Sequence, residues 1–124
     1  MPPSETSPSL NRRLLQKIAD AFNTGDLSEV DAIFAPGYID HQKPPHITVD
    51  GPEEFRLIVT GARRSEPFNV AILDVIEGDD KIAARLHWFG NDRGTEIDRE
   101  TIEILHVKDG LIVEHWGAEI RPEG

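Results

Sequence analysis

Beyond Pro67 the chain consists of four runs rich in β-branched residues, Phe68 to Ile76, Lys81 to Phe89, Thr95 to Val107 and Leu111 to Ile120. This feature constrains the fold more than any other. The runs are divided by Glu77-Gly78-Asp79-Asp80, Gly90-Asn91-Asp92-Arg93-Gly94 and Lys108-Asp109-Gly110, which are dense in residues that accept turn conformations. Short turn-rich breaks between strand-like runs predict successive hairpins, so the second half is expected to be a four-strand antiparallel meander.

The first half has a different period. Leu10, Leu14, Ile18 and Phe22, joined by Leu15 and Ala21, form one apolar stripe at helical spacing. Ser7 followed by Pro8 predicts its N-cap, and Asn23-Thr24-Gly25 predicts its stop. Asp26 with Glu29 resembles a capping box for a short second helix with Leu27, Val30, Ile33 and Phe34 facing inward, ended by Pro36-Gly37. Tyr38 to His41 is expected to be extended, and Gln42 to Val49, with Pro44 and Pro45, is expected to be a lid or rim loop. Asp50-Gly51-Pro52 starts a third helix with Phe55, Ile58, Val59 and Ala62 on one face. Helices first and strands afterwards, with no alternating βα units, predict an α+β fold. Residues 1–8 are expected to form a disordered tail and residues 9–121 a single domain.

The charge balance narrows the partners. Thirteen Lys and Arg face 23 Asp and Glu, a net charge of -10, which argues against nucleic acid and anionic membranes. No run approaches the ~20 apolar residues of a membrane span, and MPPSETSPS lacks the basic and apolar regions of a signal peptide. The expected location is cytoplasmic. Without cysteine there is no disulfide framework, thiolate metal site or cysteine nucleophile.

The chemistry-bearing residues concentrate in the last strands. Glu114, His115, Trp116 and Glu119 crowd into KDGLIVEHWGAEI, where titratable groups among apolar neighbours point to a cavity wall or to a solvated acidic edge. A two-residue turn at Asp109-Gly110 would set Glu103 opposite Trp116, and a three-residue loop with a bulge would set it opposite His115. Either register brings Glu103 beside the His115-Trp116 pair. On the preceding run Ala83, Arg85, His87 and Phe89 share one face, and Ile82, Ala84, Leu86 and Trp88 share the other. The first set reads as an oxyanion-binding wall or as a solvated outer face. His41 is expected at the pocket mouth. His41 with His46, or His87 with His106 and His115, lack a recognisable metal-ligand spacing, and phosphate loops, dinucleotide fingerprints and a Gly-x-Ser-x-Gly elbow are missing. No metal and no cofactor are expected. What remains is proton transfer by His, Glu or Asp in an apolar pocket.

The order of elements, with FNTGDLSEVDAIFAPGYIDHQ, VDGPEEF, EGDDKIAARLHW and VKDGLIVEHWGAEI, resembles the SnoaL-like polyketide cyclase family of the ketosteroid-isomerase-like (nuclear transport factor 2-like) superfamily, from Leu10 to Ile120. The resemblance implies an α+β cone in which three N-terminal helices pack on a curved, mainly antiparallel sheet that encloses a pocket. It also implies a homodimer formed through the sheet and a hydrophobic small-molecule substrate. In such cyclases an acid on the last strand moves the proton, but its place four residues after Trp116 is held here by Ile120. Glu119 is the nearest carboxylate, and only a bulge would turn it inward. The resemblance therefore implies Glu103 as base, with His115 or His87 sharing the proton. The expected substrate-binding residues are His41, Arg85, Trp116, Phe22, Phe55 and Phe89. The expected activity is that of a cyclase or isomerase on a polyketide-like carbonyl compound. The same superfamily also holds cofactor-independent hydroxylases and non-catalytic ligand-binding or dimerisation modules.

Overall fold

A computed structural model of the protein describes residues 9–64, 68–92 and 94–120. The elements in chain order are α1 (Leu10–Thr24), α2 (Val30–Ile33), β1 (Phe34–Asp40), α3 (Pro52–Ala62), β2 (Phe68–Glu77), β3 (Lys81–Asp92), β4 (Thr95–Lys108) and β5 (Leu111–Ile120). The strands form one open sheet in the order β1-β5-β4-β3-β2, antiparallel except where β1 runs parallel to β5. Helices lie against its inner face, giving the α+β architecture expected.

Local chemistry accounts for most boundaries and corrects several. Ser7 and Pro8 lie outside the described residues, as do the rest of the expected tail and residue 121. The α1 cap is Ser9, whose hydroxyl accepts from the Arg12 backbone N–H at 3.1 Å. Gly25 ends α1 in the left-handed conformation (φ 79°), and a Cβ there would stand 2.7 Å from the Arg63 guanidinium. That guanidinium donates to the Phe22 and Asn23 carbonyls at 2.8 and 2.9 Å, satisfying acceptors that the end of α1 leaves open.

The Asp26–Glu29 capping box does not form. Asp26 instead accepts from the Ser28 N–H, a local turn that competes with helix and leaves α2 a single turn. Phe34 and Pro36-Gly37 consequently belong to β1 and not to a helix. β3 also runs through Asn91 and Asp92, which were expected to belong to a loop and instead pair with Glu96 and Thr95.

The core lies between the helices and the inner sheet face. Leu14, Leu15, Phe22, Val30, Ile33, Phe34, Phe55 and Val59 meet Val70, Ile82, Leu86, Leu105 and Ile112 there. Each such large side chain removed from water stabilises the fold by about 1.5–3 kcal/mol. Phe22 packs edge-on against Phe55 and Trp88, with ring centres 5.5 and 4.9 Å away. These rings line the cavity that remains between layers.

Candidate active site

A single extra residue on β5 decides which side chains enter this cavity. Asp109 and Gly110, both at positive φ (54° and 81°), form the two-residue turn and pair Lys108 with Leu111 and Val107 with Ile112. The next pair is His106 with Glu114, so Val113 has no partner and forms a bulge. Strict alternation from the inward Ile112 would have sent Glu114, Trp116 and Ile120 inward. The bulge reverses the parity, and His115, Gly117 and Glu119 share the inner face with their partners Leu105, Glu103 and Thr101. The expected two-residue turn with its Lys108–Leu111 pair holds, but the register it implied for Glu103 does not persist past Val113, and the three-residue alternative does not form.

His115 stands at the centre of the polar end of the cavity. Its Nδ1 lies 2.9 Å from Asp40 Oδ1, and its Nε2 is hydrogen-bonded to Glu103 Oε1. Asp40 comes from the last position of β1, which pairs in register with His115. All three groups line the cavity and are largely withdrawn from solvent, Glu103 being 6% exposed. Burial alone would favour neutral imidazole. The two carboxylates outweigh it and lift the His115 pKa to about 9, so the imidazolium persists at neutral pH and donates from both nitrogens. Burial raises the Asp40 carboxyl, but the His115 hydrogen bond and charge hold it below the ordinary value.

Further groups complete this end. Tyr38 lines the cavity with its phenol unbonded among the described residues, and burial, followed by the Asp40, Glu54 and Glu103 charges, keeps that phenol protonated. The Thr101 hydroxyl accepts from Trp88 Nε1–H at 2.8 Å and so keeps its own hydrogen to donate. Gln42 and Pro44, from the Pro-rich loop, form part of the rim. A Cβ on Gly117 would fall 2.6 Å from Glu103 Oε1 and closer still to the Gln42 amide, so glycine makes the room both side chains occupy. Glu54, on the first turn of α3, is 1% exposed, and neither oxygen has a hydrogen-bond partner among the described residues. Burial, reinforced by nearby Asp40, raises its pKa to about 8, and it is a neutral acid at pH 7.

The cavity measures about 500 Å³ and is walled chiefly by Leu15, Ile18, Phe22, Phe55, Leu86 and Trp88. Of the residues expected at the site, the structure brings together Glu103, His115, Phe22 and Phe55 in its lining. Glu119 lies on the inner face, with its carboxylate 3.8 Å from Arg99 Nε.

The other five are on the outer face. Arg85 pairs with Asp74 and Glu100 at 2.7 and 2.8 Å. His87 pairs with Asp98 at 2.7 Å and packs on Phe89. Their strand uses its alternate face, from Ile82 to Trp88, for the core. His41 stacks on Trp116, with ring centres 5.2 Å apart, and its Nε2 lies 2.5 Å from Glu114 Oε2. The inversion at Val113 put Trp116 outside, and alternation after the inward Asp40 did the same for His41.

Asp40, Tyr38, Thr101, Arg99 and Glu54 escaped sequence reasoning. Asp40 and Tyr38 were legible as alternating positions of the same extended segment as His41, whereas nothing in one sequence marks Glu54 as buried. No group of three or more His, Asp or Glu side chains among the described residues is arranged to hold a metal ion. No helix there is long and apolar enough to cross a membrane.

The SnoaL-like domain family model matches residues 15–115. No curated protein matches the sequence. Among solved structures, a presumed polyketide cyclase from Bacillus cereus is 30% identical, with 86% of this chain and 71% of that one covered at a TM-score of 0.77. TsrD from Streptomyces laurentii is 22% identical, covering 93% and 91% of the two chains with a TM-score of 0.78. AclR, a presumed hydroxylase from Streptomyces galilaeus, is 19% identical, covering 90% and 91% with a TM-score of 0.68. The last two likenesses concern the fold.

Proposed function

The chain belongs to the SnoaL-like domain family, and from that premise we propose a cofactor-free enzyme that moves a proton on a hydrophobic carbonyl compound, as a cyclase or isomerase of polyketide-like substrates. The observation that carries this reading is the buried Glu103–His115–Asp40 row at one end of an apolar cavity.

Glu103 removes a proton from the carbon beside the substrate carbonyl. Its base strength acts where apolar walls exclude water, a placement that contributes about 10²- to 10⁴-fold in rate. The resulting enolate oxygen takes hydrogen bonds from the Tyr38 phenol and the Thr101 hydroxyl, donors already present before charge develops. His115, as the imidazolium, offsets the negative charge around Glu103, and Asp40 holds its ring in place. In a substrate with a C=C bond beside that carbon the enolate is a dienolate, and return of the proton from Glu103 to its far carbon isomerises the substrate. Attack of the enolate carbon on a second carbonyl in the same molecule closes a ring, the C=O π pair becoming an alkoxide that takes the proton back from Glu103.

Exchange of ketone α-protons for deuterium in D₂O, followed by NMR on aryl ketones, tests this directly. The expected exchange is enzyme-dependent and identical with and without air. Conversion that requires oxygen would point instead to hydroxylation, and binding without exchange to a non-catalytic module. The expected homodimer draws support from the outer sheet face, where Ile102, Ile104 and Ile120 are exposed and Trp116 stands opposite Ile104. Sedimentation of the Ile104→Lys variant as a monomer would support that assembly; a wild-type monomer would exclude it.

A further inference from the structure

The cavity has a second polar group, away from Glu103. Arg99 is the only Lys or Arg in its lining among the described residues, a notable placement in a chain of net charge -10. It shares the inner face of β4 with Thr101 and Glu103 and pairs across to Trp88. Four residues of strand separate its Cα from that of Glu103 by about 13 Å. Leu86, Trp88 and Phe22 supply apolar wall to the same cavity, and Asn91, near the end of β3, adds an amide.

The guanidinium is weakly committed. Among the described residues its ion-pair partner is Glu119, at 3.8 Å through Nε, with side chains 55% and 37% exposed. Exposed pairs of this kind contribute about 0–1 kcal/mol. A planar fork of donors at the edge of an apolar cavity matches a carboxylate, which it can grip with two parallel hydrogen bonds. Glu119 then occupies the place a ligand carboxylate would take.

We propose that Arg99 is a specificity-determining residue that binds a carboxylate on the substrate, making the substrate a hydrophobic keto acid. Its carboxylate sits at the Arg99 end of the cavity, away from the carbon that Glu103 deprotonates. This rests on the reading of Glu103 as the base. Glu119 acts as a competing anion that the substrate displaces.

The test uses naphthyl ketones that end in a carboxylate on methylene chains of increasing length, each compared with its methyl ester. Binding is followed by tryptophan fluorescence, since Trp88 lines the cavity. The acid of best length is expected to bind roughly 10- to 100-fold tighter than its ester, the range of a hydrogen bond to a charged group. That preference should shrink with added salt, collapse in Arg99→Gln, rise in Glu119→Gln and survive in Glu103→Gln. Unchanged ester affinity in Arg99→Gln would show that the variant keeps its cavity. Equal affinity of acid and ester in the wild type, or a preference undiminished in Arg99→Gln, overturns the proposal. A preference that depends on Arg99 without any α-proton exchange would retire Glu103 as base and leave the carboxylate site standing.

Discussion

Glu103 and His115 meet diagonally across two strands. Glu103 pairs in register with Gly117, yet its carboxylate reaches back to the imidazole two residues earlier on β5. The pairing is available because Gly117 has no side chain and because the bulge at Val113 turned His115 inward.

Gly117→Ala should therefore injure activity far more than stability. The new methyl would collide with the far ends of the Gln42 and Glu103 side chains and not with backbone, so the clash is relieved by turning those side chains. Catalysis is expected to fall about tenfold to a hundredfold as the base is displaced, with a melting temperature within a few degrees of wild type. Crystallography would show Glu103 moved; an unmoved carboxylate with full activity would remove Gly117 from the account.

Tyr38→Phe should lower kcat by about 10²-fold, the scale for loss of one oxyanion donor. KM should change little, since the phenol is needed most where charge develops. Steady-state kinetics separates the two, and a rise in KM alone would make Tyr38 a binding residue.

The pH dependence of stability follows from two raised pKa values. Glu54 ionises near pH 4.5 when unfolded and about 8 when folded, so its contribution is complete below 4.5 and disappears as pH rises to about 8. His115 behaves likewise between 6.5 and about 9, a contribution of roughly 3 kcal/mol. The melting temperature should fall across this interval. In Glu54→Gln the decline should begin near pH 6.5 instead of 4.5, because a neutral amide cannot ionise. A wild-type curve flat from pH 5 to 9 would contradict both assignments.

Loss of the imidazolium above about pH 9 should also lower activity, giving the pH profile an alkaline limb. His115→Gln should abolish that alkaline limb and lower kcat/KM by about tenfold or more. A limb that persists unchanged in this variant would belong to another group.

The sheet was legible because turn residues punctuate strand-like runs, and the helices because Leu14, Ile18, Phe22, Phe55 and Val59 recur at helical spacing. Strand faces were harder. Period-two reasoning carries a single inserted residue as an error to the end of the strand, so Trp116 was expected inside and lies outside. Glu119, by contrast, reached the inner face only through the bulge. For Arg85, His87 and Phe89 both faces of β3 contain apolar residues, and spacing alone does not rank them. The Asp40 contact with His115 depends on parallel pairing of strands 75 residues apart, which no local pattern encodes. Glu103 remained identifiable because every register considered kept it close to His115.

The central claim is that Glu103 carries a proton inside the cavity. Deuterium incorporation into an aryl keto acid should be measured anaerobically for the wild type and Glu103→Gln, with ligand affinity recorded for both. The account predicts exchange reduced about 10²- to 10⁴-fold in the variant at near-unchanged affinity and melting temperature. Exchange at the wild-type rate in Glu103→Gln would contradict it.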